Sequence, residues 1–224
     1  MKELEALHKK KFRYVVADAG YDGEENFAWL MGNNYISCIK PATHERSKTR
    51  KWKQDISRAE NMQYCQETDT FICTNGKPLT FQYERKKKTK SGFVCTSKVY
   101  AATCCDGCPF RKNCQKYKGD NPPKHPKHIY ISTRYNELLK KNMEIFGSPY
   151  GTCLRINRSI QVEGVFGILK QDYGFWRLLH RGAKNVRKYM LLLAMGYNIK
   201  KLHNRNIDGR LGIRLFQEKI SNSR

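Results

Sequence analysis

Acidic residues are scarce in this sequence: 20 Asp and Glu face 43 Lys and Arg over 224 residues, a formal net charge of +23. A field of that sign attracts polyanions, and nucleic acid is a better match than an anionic membrane surface. Long apolar runs are also missing. The longest, which begins at Tyr189, falls far short of the ~18 residues a membrane span needs. The opening stretch, Met1-Lys-Glu-Leu-Glu-Ala-Leu-His8, lacks the apolar segment of a secretory signal. Nine cysteines is an odd number, which argues against a full disulfide framework. Together these absences predict a non-membrane, cytoplasmic protein with reduced thiols. What is present is enough for a folded core: 39% of residues are hydrophobic and 12% aromatic. The length suits one large domain or two small ones.

Three textures divide the chain. Residues 1–40 read as helix, strand, glycine-containing turn, helix and strand. Phe12 to Ala17 is β-branched and aromatic, Asp18 to Gly23 forms the turn, and Glu24 to Met31 carries acids in its first helical turn. Tyr35 to Ile39 returns as a strand, which completes an α/β unit. Residues 41–149 lose this regularity and read as an insertion with a small core of its own. They hold three basic runs, at 46–53, 85–90 and 111–127, with Trp52, Tyr83, Phe93 and Tyr117 interleaved. Short strands are expected at 70–73, 79–83 and 93–100, and a helix at 135–146. Residues 150–204 read as helical, with an apolar core stripe through Met190, Leu193 and Tyr197, and 205–224 as a polar tail.

Asp18 closes the first strand, at the carboxyl end where α/β sheets place ligand-binding residues. Glu163 lies on a later helix, and Phe166, Gly167 and Lys170 follow along its side. Carboxylates from two such positions suit Mg²⁺ ions that hold the attacking and leaving oxygens of a phosphodiester displacement. By spacing alone an acid at a strand end is more often a turn or cap residue than a metal ligand. Gly164 and Gly167 cost a helix about 1 kcal/mol each, so they point to close approach of another backbone or of DNA.

The cysteines crowd one stretch. Cys105-Asp-Gly-Cys108 is a C-x2-C turn, Cys114 follows, and Cys73 sits at a second turn before Gly76. These four are the expected ligands of a structural Zn²⁺, with Cys95 and Cys104 as substitutes and an iron–sulfur cluster or free thiols as alternatives. Cys38, Cys65 and Cys153 read as ordinary buried thiols.

Val15-Val-Ala-Asp-Ala-Gly-Tyr-Asp-Gly-Glu-Glu-Asn26, Arg158-Ser-Ile-Gln-Val-Glu-Gly-Val-Phe-Gly-Ile-Leu-Lys170 and Tyr173-Gly-Phe-Trp-Arg-Leu-Leu-His-Arg-Gly182 resemble the DDE transposases of bacterial insertion sequences, in the group with a cysteine-rich insertion. The resemblance runs from about Met1 to His203. It implies an α/β fold with a partial ribonuclease H-like catalytic core, the insertion described above and C-terminal helices. The implied chemistry is Mg²⁺-dependent cleavage and strand transfer on double-stranded DNA. Asp18 matches the second catalytic aspartate, Glu163 the catalytic glutamate and Lys170 a lysine that contacts transposon ends. Arg158, Arg177 and Arg181 join Lys170 as expected DNA contacts, and Trp176 is placed to stack on a base or to pack in a core. Cysteines of the family's insertion match Cys73, Cys105, Cys108 and Cys114.

Two departures accompany the resemblance. Ile156 and Ser159 occupy the places where related groups carry a tyrosine and an arginine. The first catalytic aspartate should lie on a strand before the Asp18 turn, yet only 17 residues precede it and their acids are Glu3 and Glu5, in a helical segment. The expectation is therefore the C-terminal portion of a transposase, inactive alone and completed by a second chain or segment or acting as a homodimer. The alternative is a non-enzymatic, zinc-stabilised DNA-binding protein derived from one, with a basic RNA-associated protein third.

Overall fold

A computed structural model describes residues 1–177 and 181–212. Residues 178–180 of the Tyr173–Gly182 stretch and the end of the expected tail, 213–224, lie outside the described residues. The chain is a mixed α/β protein that divides into two units, Met1–Phe146 and the part from Gly147 onward.

The first unit begins with helix α1 (Lys2–His8), strand β1 (Tyr14–Ala17), helix α2 (Glu24–Gly32) and strand β2 (Ile36–Ile39). β1 and β2 are parallel, in register from Tyr14 opposite Ile36 to Ala17 opposite Ile39. Parallel neighbours need a crossover, and α2 is that crossover. Its Phe27 and Leu30 face the sheet and are buried with Tyr35 and Ile39, and Val15 and Ala17 pack against them.

The middle of the unit is a five-stranded antiparallel sheet in the order β3 (Gln63–Cys65), β4 (Thr70–Ile72), β5 (Pro78–Lys88), β6 (Val94–Ala102) and β7 (His128–Ile131). Short helices α3 (His44–Ser47) and α4 (Arg50–Lys53) precede it, and α5 (Arg111–Gln115) lies between β6 and β7. The core of this sheet is separate, with Leu79, Tyr100, Ala102 and Ile129 buried together. β5 and β6 form a long hairpin whose register shifts between Phe81 and Tyr83. A bulge there turns the side chains of the distal ribbon onto the opposite face.

Helix α6 (Thr133–Phe146) closes the unit and packs its Tyr135, Leu138 and Leu139 on the α2–β2 core. Asn142 is buried, and its amide serves Ile39 twice: Oδ1 accepts from the Ile39 N–H and Nδ2 donates to the Ile39 carbonyl, both at 2.8 Å. One side chain thus replaces the next strand at that residue, satisfying two buried backbone groups that would otherwise be costly.

Asp55 ties the region before the sheet to the segment after α5. Its Oδ2 accepts from Lys116 Nζ at 2.5 Å, and its Oδ1 accepts from the Ser57 hydroxyl at 2.6 Å and the Ser57 N–H at 3.0 Å. Burial alone would raise this carboxyl; the bonds from Lys116 and Ser57 outweigh it and hold the group well below the usual carboxylate range.

The second unit is helical. α7 (Pro149–Arg158) is capped by the Ser148 hydroxyl, which accepts from Gly151 N–H at 2.9 Å. It runs through a π-helical stretch, Ser159–Glu163, into α8 (Gly164–Gln171). Gly174, at φ 63, lets the chain turn back so that Phe175 N–H reaches the Leu169 carbonyl. The last helix, α9 (Ala183–Ile207), has no buried residue. Met190, Leu193 and Tyr197, expected in a core, are only half-buried, while Leu192 and Ile199 are 67% and 66% exposed. No helix among the described residues is long and apolar enough to cross a membrane.

Two outcomes check this packing. Asn142→Leu leaves both Ile39 backbone groups unpaired and should lower stability by roughly 2–4 kcal/mol in urea melts. Because the Asp55 carboxyl is depressed in the folded state, its contribution is complete above the ordinary value of 3.8 and is lost as pH falls through the folded value. Asp55→Asn should therefore cost stability at neutral pH and flatten the loss seen on acidification below about pH 4.

Candidate functional site

Asp18 follows directly on β1 and caps a single 3₁₀ turn, Ala19–Tyr21, with Oδ1 accepting from the Gly20 N–H at 3.1 Å. A Cβ at Gly20 would come within 3.2 Å of that oxygen, so glycine keeps the carboxylate in place without crowding. Asp18 is exposed. It combines both roles the sequence allowed, cap residue and accessible acid at the end of a parallel strand.

Two nearby acids have tertiary partners that the sequence does not announce: Asp22 in the same turn and Glu24 at the start of α2. Asp22 Oδ1 accepts from the Tyr135 hydroxyl at 2.8 Å, and its Oδ2 accepts from the Ala42 N–H at 2.7 Å. Burial, and then this bond to Asp22, push the Tyr135 phenol far up. Glu24 is 8% exposed and its Oε2 accepts from the Ser132 hydroxyl at 2.9 Å. The side-chain partners, Tyr135 and Ser132, lie more than a hundred residues away in sequence, so no local pattern announces them. Asp22 and Glu24 are braces that fix the turn presenting Asp18.

Glu163 ends the π-helical stretch. Its Oε2 accepts from the Ser159 hydroxyl at 2.9 Å and its Oε1 pairs with the Arg158 guanidinium at 3.4 Å. The carboxylate remains 64% exposed. A π-bulge costs helix geometry and concentrates at functional positions. Ser159, a departure from the related pattern, here orients the acid. Lys170 lies two turns further along α8 and is exposed, as are Arg177 and Arg181, whereas Arg158 is only 25% exposed because it leans on Glu163. Trp176 is 71% exposed, which selects the accessible role over the core one. Beside Gly164 and Gly167 an added Cβ would meet nothing within 4 Å, so the close backbone contact anticipated there does not come from the described residues.

The basic run at 85–90 lies on the β5–β6 hairpin. Every β5 residue except Leu79 is exposed. Beyond the bulge, Tyr83, Arg85 and Lys87 alternate onto one face. Tyr83, His128 and Tyr130 line a groove of about 430 Å³, and the Arg85 guanidinium sits 5.4 Å from the Tyr130 ring centre. Cations and aromatic faces are interleaved there on an accessible surface. Trp52, by contrast, is covered by the Arg58 guanidinium at 3.1 Å.

All nine cysteines are free thiols. Cys73, Cys104, Cys105, Cys108 and Cys114 line one small cavity with Lys127. Burial pushes the Cys114 thiol up, Lys127 offsets part of this, and Cys105, Cys73 and Cys108 push it up further. Burial lowers the Lys127 ammonium. Cys95 lies elsewhere, on β6, where burial and then the charges of Glu24 and Glu25 raise its thiol. Of the thiols expected to be buried, Cys38 is, while Cys65 and Cys153 are half-buried. Among the described residues no group of three or more His, Cys, Asp or Glu forms a ready-made metal cage.

No curated protein and no solved structure matches the chain. One family does: the family described as "Transposase DDE domain" matches residues 72–203, more than half of the chain. The match takes in Glu163, Lys170 and the four clustered cysteines and begins after Asp18. The chain belongs to the transposase DDE domain family.

Proposed function

We propose that these 224 residues carry the second aspartate and the glutamate of a DDE transposase that cleaves and joins double-stranded DNA at insertion-sequence ends, within a partial ribonuclease H-like core. The observation that carries the reading is the pair of exposed, hydrogen-bond-oriented carboxylates, Asp18 on a strand end and Glu163 on a π-bulge, in a chain of the transposase family. Both are hard oxygen donors, the chemistry Mg²⁺ takes. A bound Mg²⁺ would neutralise charge that develops on the phosphate oxygens.

The chain's own residues do the rest. Gly20 N–H fixes the Asp18 carboxylate, while Ser159 and Arg158 fix that of Glu163, so neither acid has to be ordered when DNA arrives. Lys170, Arg177 and Arg181 neutralise backbone phosphates near transposon ends. The Arg85–Lys90 ribbon offers further cations to backbone phosphates, with Tyr83 and Tyr130 offering flat faces beside it. A site that needs three carboxylates is incomplete with two, so a further segment or a second chain supplies the remaining aspartate.

The exposed ribbon also favours a second reading, a DNA-binding protein without catalysis, because that surface needs neither Asp18 nor Glu163. Transposition of a marked element with its native ends separates the two. The 224-residue chain alone should give none. Expressed together with the sequence encoded upstream of Met1 it should support transposition, and Glu163→Gln should reduce this to background. Transposition that persists with Glu163→Gln would overturn the enzymatic reading. In DNA-binding titrations, replacing Arg85, Lys86 and Lys87 by alanine should make the salt dependence shallower by roughly one for each phosphate that is no longer neutralised.

A further inference from the structure

Four thiols, those of Cys73, Cys105, Cys108 and Cys114, surround a single cavity of about 30 Å³, room for one small occupant. The backbone presents them in three ways. Cys73 opens a tight turn in which its carbonyl accepts from Gly76 N–H at 2.8 Å, with Gly76 at φ 71. Cys105 opens a second, in which its carbonyl accepts from Cys108 N–H at 3.4 Å, with Gly107 at φ 68. Glycine is needed at both positive-φ positions. Cys114 comes from helix α5. The Lys127 N–H donates to Cys105 Sγ at 3.3 Å, which fixes that sulfur against the end of the segment.

The segment between β6 and β7 has little else to hold it. It is 25 residues long (103–127), contains only the five-residue α5, and contributes Cys105 alone to the apolar packing around the sheet. Its attachments to the rest of the unit include polar ones: Lys116 to Asp55, Lys127 Nζ to the Ser57 carbonyl at 2.8 Å, Lys77 Nζ to the Cys104 carbonyl at 3.2 Å and Ala102 N–H to the Lys127 carbonyl at 3.0 Å.

We propose that Cys73, Cys105, Cys108 and Cys114 bind one structural Zn²⁺ as thiolates, clamping the β4–β5 turn to the basic 103–127 segment. Binding draws the four sulfurs from the cavity wall onto one ion and releases their four protons to solvent. All four positions around the ion are then filled by protein, so it is architectural and takes no part in DNA chemistry. Cys104 is not a ligand: it is exposed, and its thiol donates to Asp106 Oδ2 at 3.2 Å. The inference is independent of the transposase reading, since it concerns folding and not strand transfer.

The test uses the whole chain purified without chelators. Elemental analysis should find one zinc per chain. Co²⁺ exchanged for it should give thiolate charge-transfer and tetrahedral d–d absorption. Cys104→Ser and Cys95→Ser should retain both signatures, and Cys108→Ser should lose them. In the wild-type chain, removing the metal with a chelator should open 103–127 to protease, and added Zn²⁺ should close it again. Absence of zinc together with no Co²⁺ thiolate band, iron in its place, or loss of the metal in Cys104→Ser would each overturn the proposal.

Discussion

The first unit depends on how α6 is fastened back onto the β1–α2–β2 unit. Tyr135 bonds Asp22, Ser132 at the head of the helix bonds Glu24, and Asn142 bonds Ile39 on both sides of its peptide unit. These bonds join segments more than a hundred residues apart, with the five-stranded sheet emerging between them. A two-stranded parallel sheet is marginal by itself. Here Tyr135, Leu138 and Leu139 give it a third packing layer, and the buried amide gives Ile39 the partners a neighbouring strand would provide. The turn carrying Asp18 inherits its rigidity from that arrangement. Sites held on rigid elements are oriented more closely than sites on free loops.

Much of the first forty residues was legible because the signals are local. The β-branched run before Asp18, the acidic first turn of α2 and the return of the chain at Tyr35 locate strand, helix and strand to within two residues. The clustering of Cys73, Cys105, Cys108 and Cys114 was legible from two glycine turns and one short spacing. Long-range polar bonds were not legible, so the bracing roles of Asp22, Glu24 and Asn142 have no signature in the sequence. The π-bulge at Ser159–Glu163 was missed because its sequence has ordinary helical periodicity. The apolar stripe of α9 misled for a physical reason: periodicity shows which side of a helix is apolar, and burial depends on what packs there.

Acids in this chain divide their labour according to exposure. Asp22, Glu24 and Asp55 are tied down by hydrogen bonds from distant residues and hold the fold. Asp18 accepts from the nearby Gly20 N–H and Glu163 from the nearby Ser159 hydroxyl, and both acids reach solvent. With so few acids against so many cations, the accessible carboxylates belong to a strongly positive chain. The β5–β6 ribbon presents part of that charge on an exposed strand. The clustered thiols join the β4–β5 turn, through Cys73, to the 103–127 segment.

The proposed division between bracing and reacting acids is tested most directly by measuring thermal unfolding and strand-transfer activity together for Asp18→Asn and Asp22→Asn in the completed enzyme. Asparagine caps the 3₁₀ turn nearly as well as aspartate. The account therefore predicts that Asp18→Asn melts like the parent and joins no DNA, while Asp22→Asn melts earlier and keeps activity at temperatures where it is folded. An active Asp18→Asn variant, or one that loses activity only through unfolding, would contradict it.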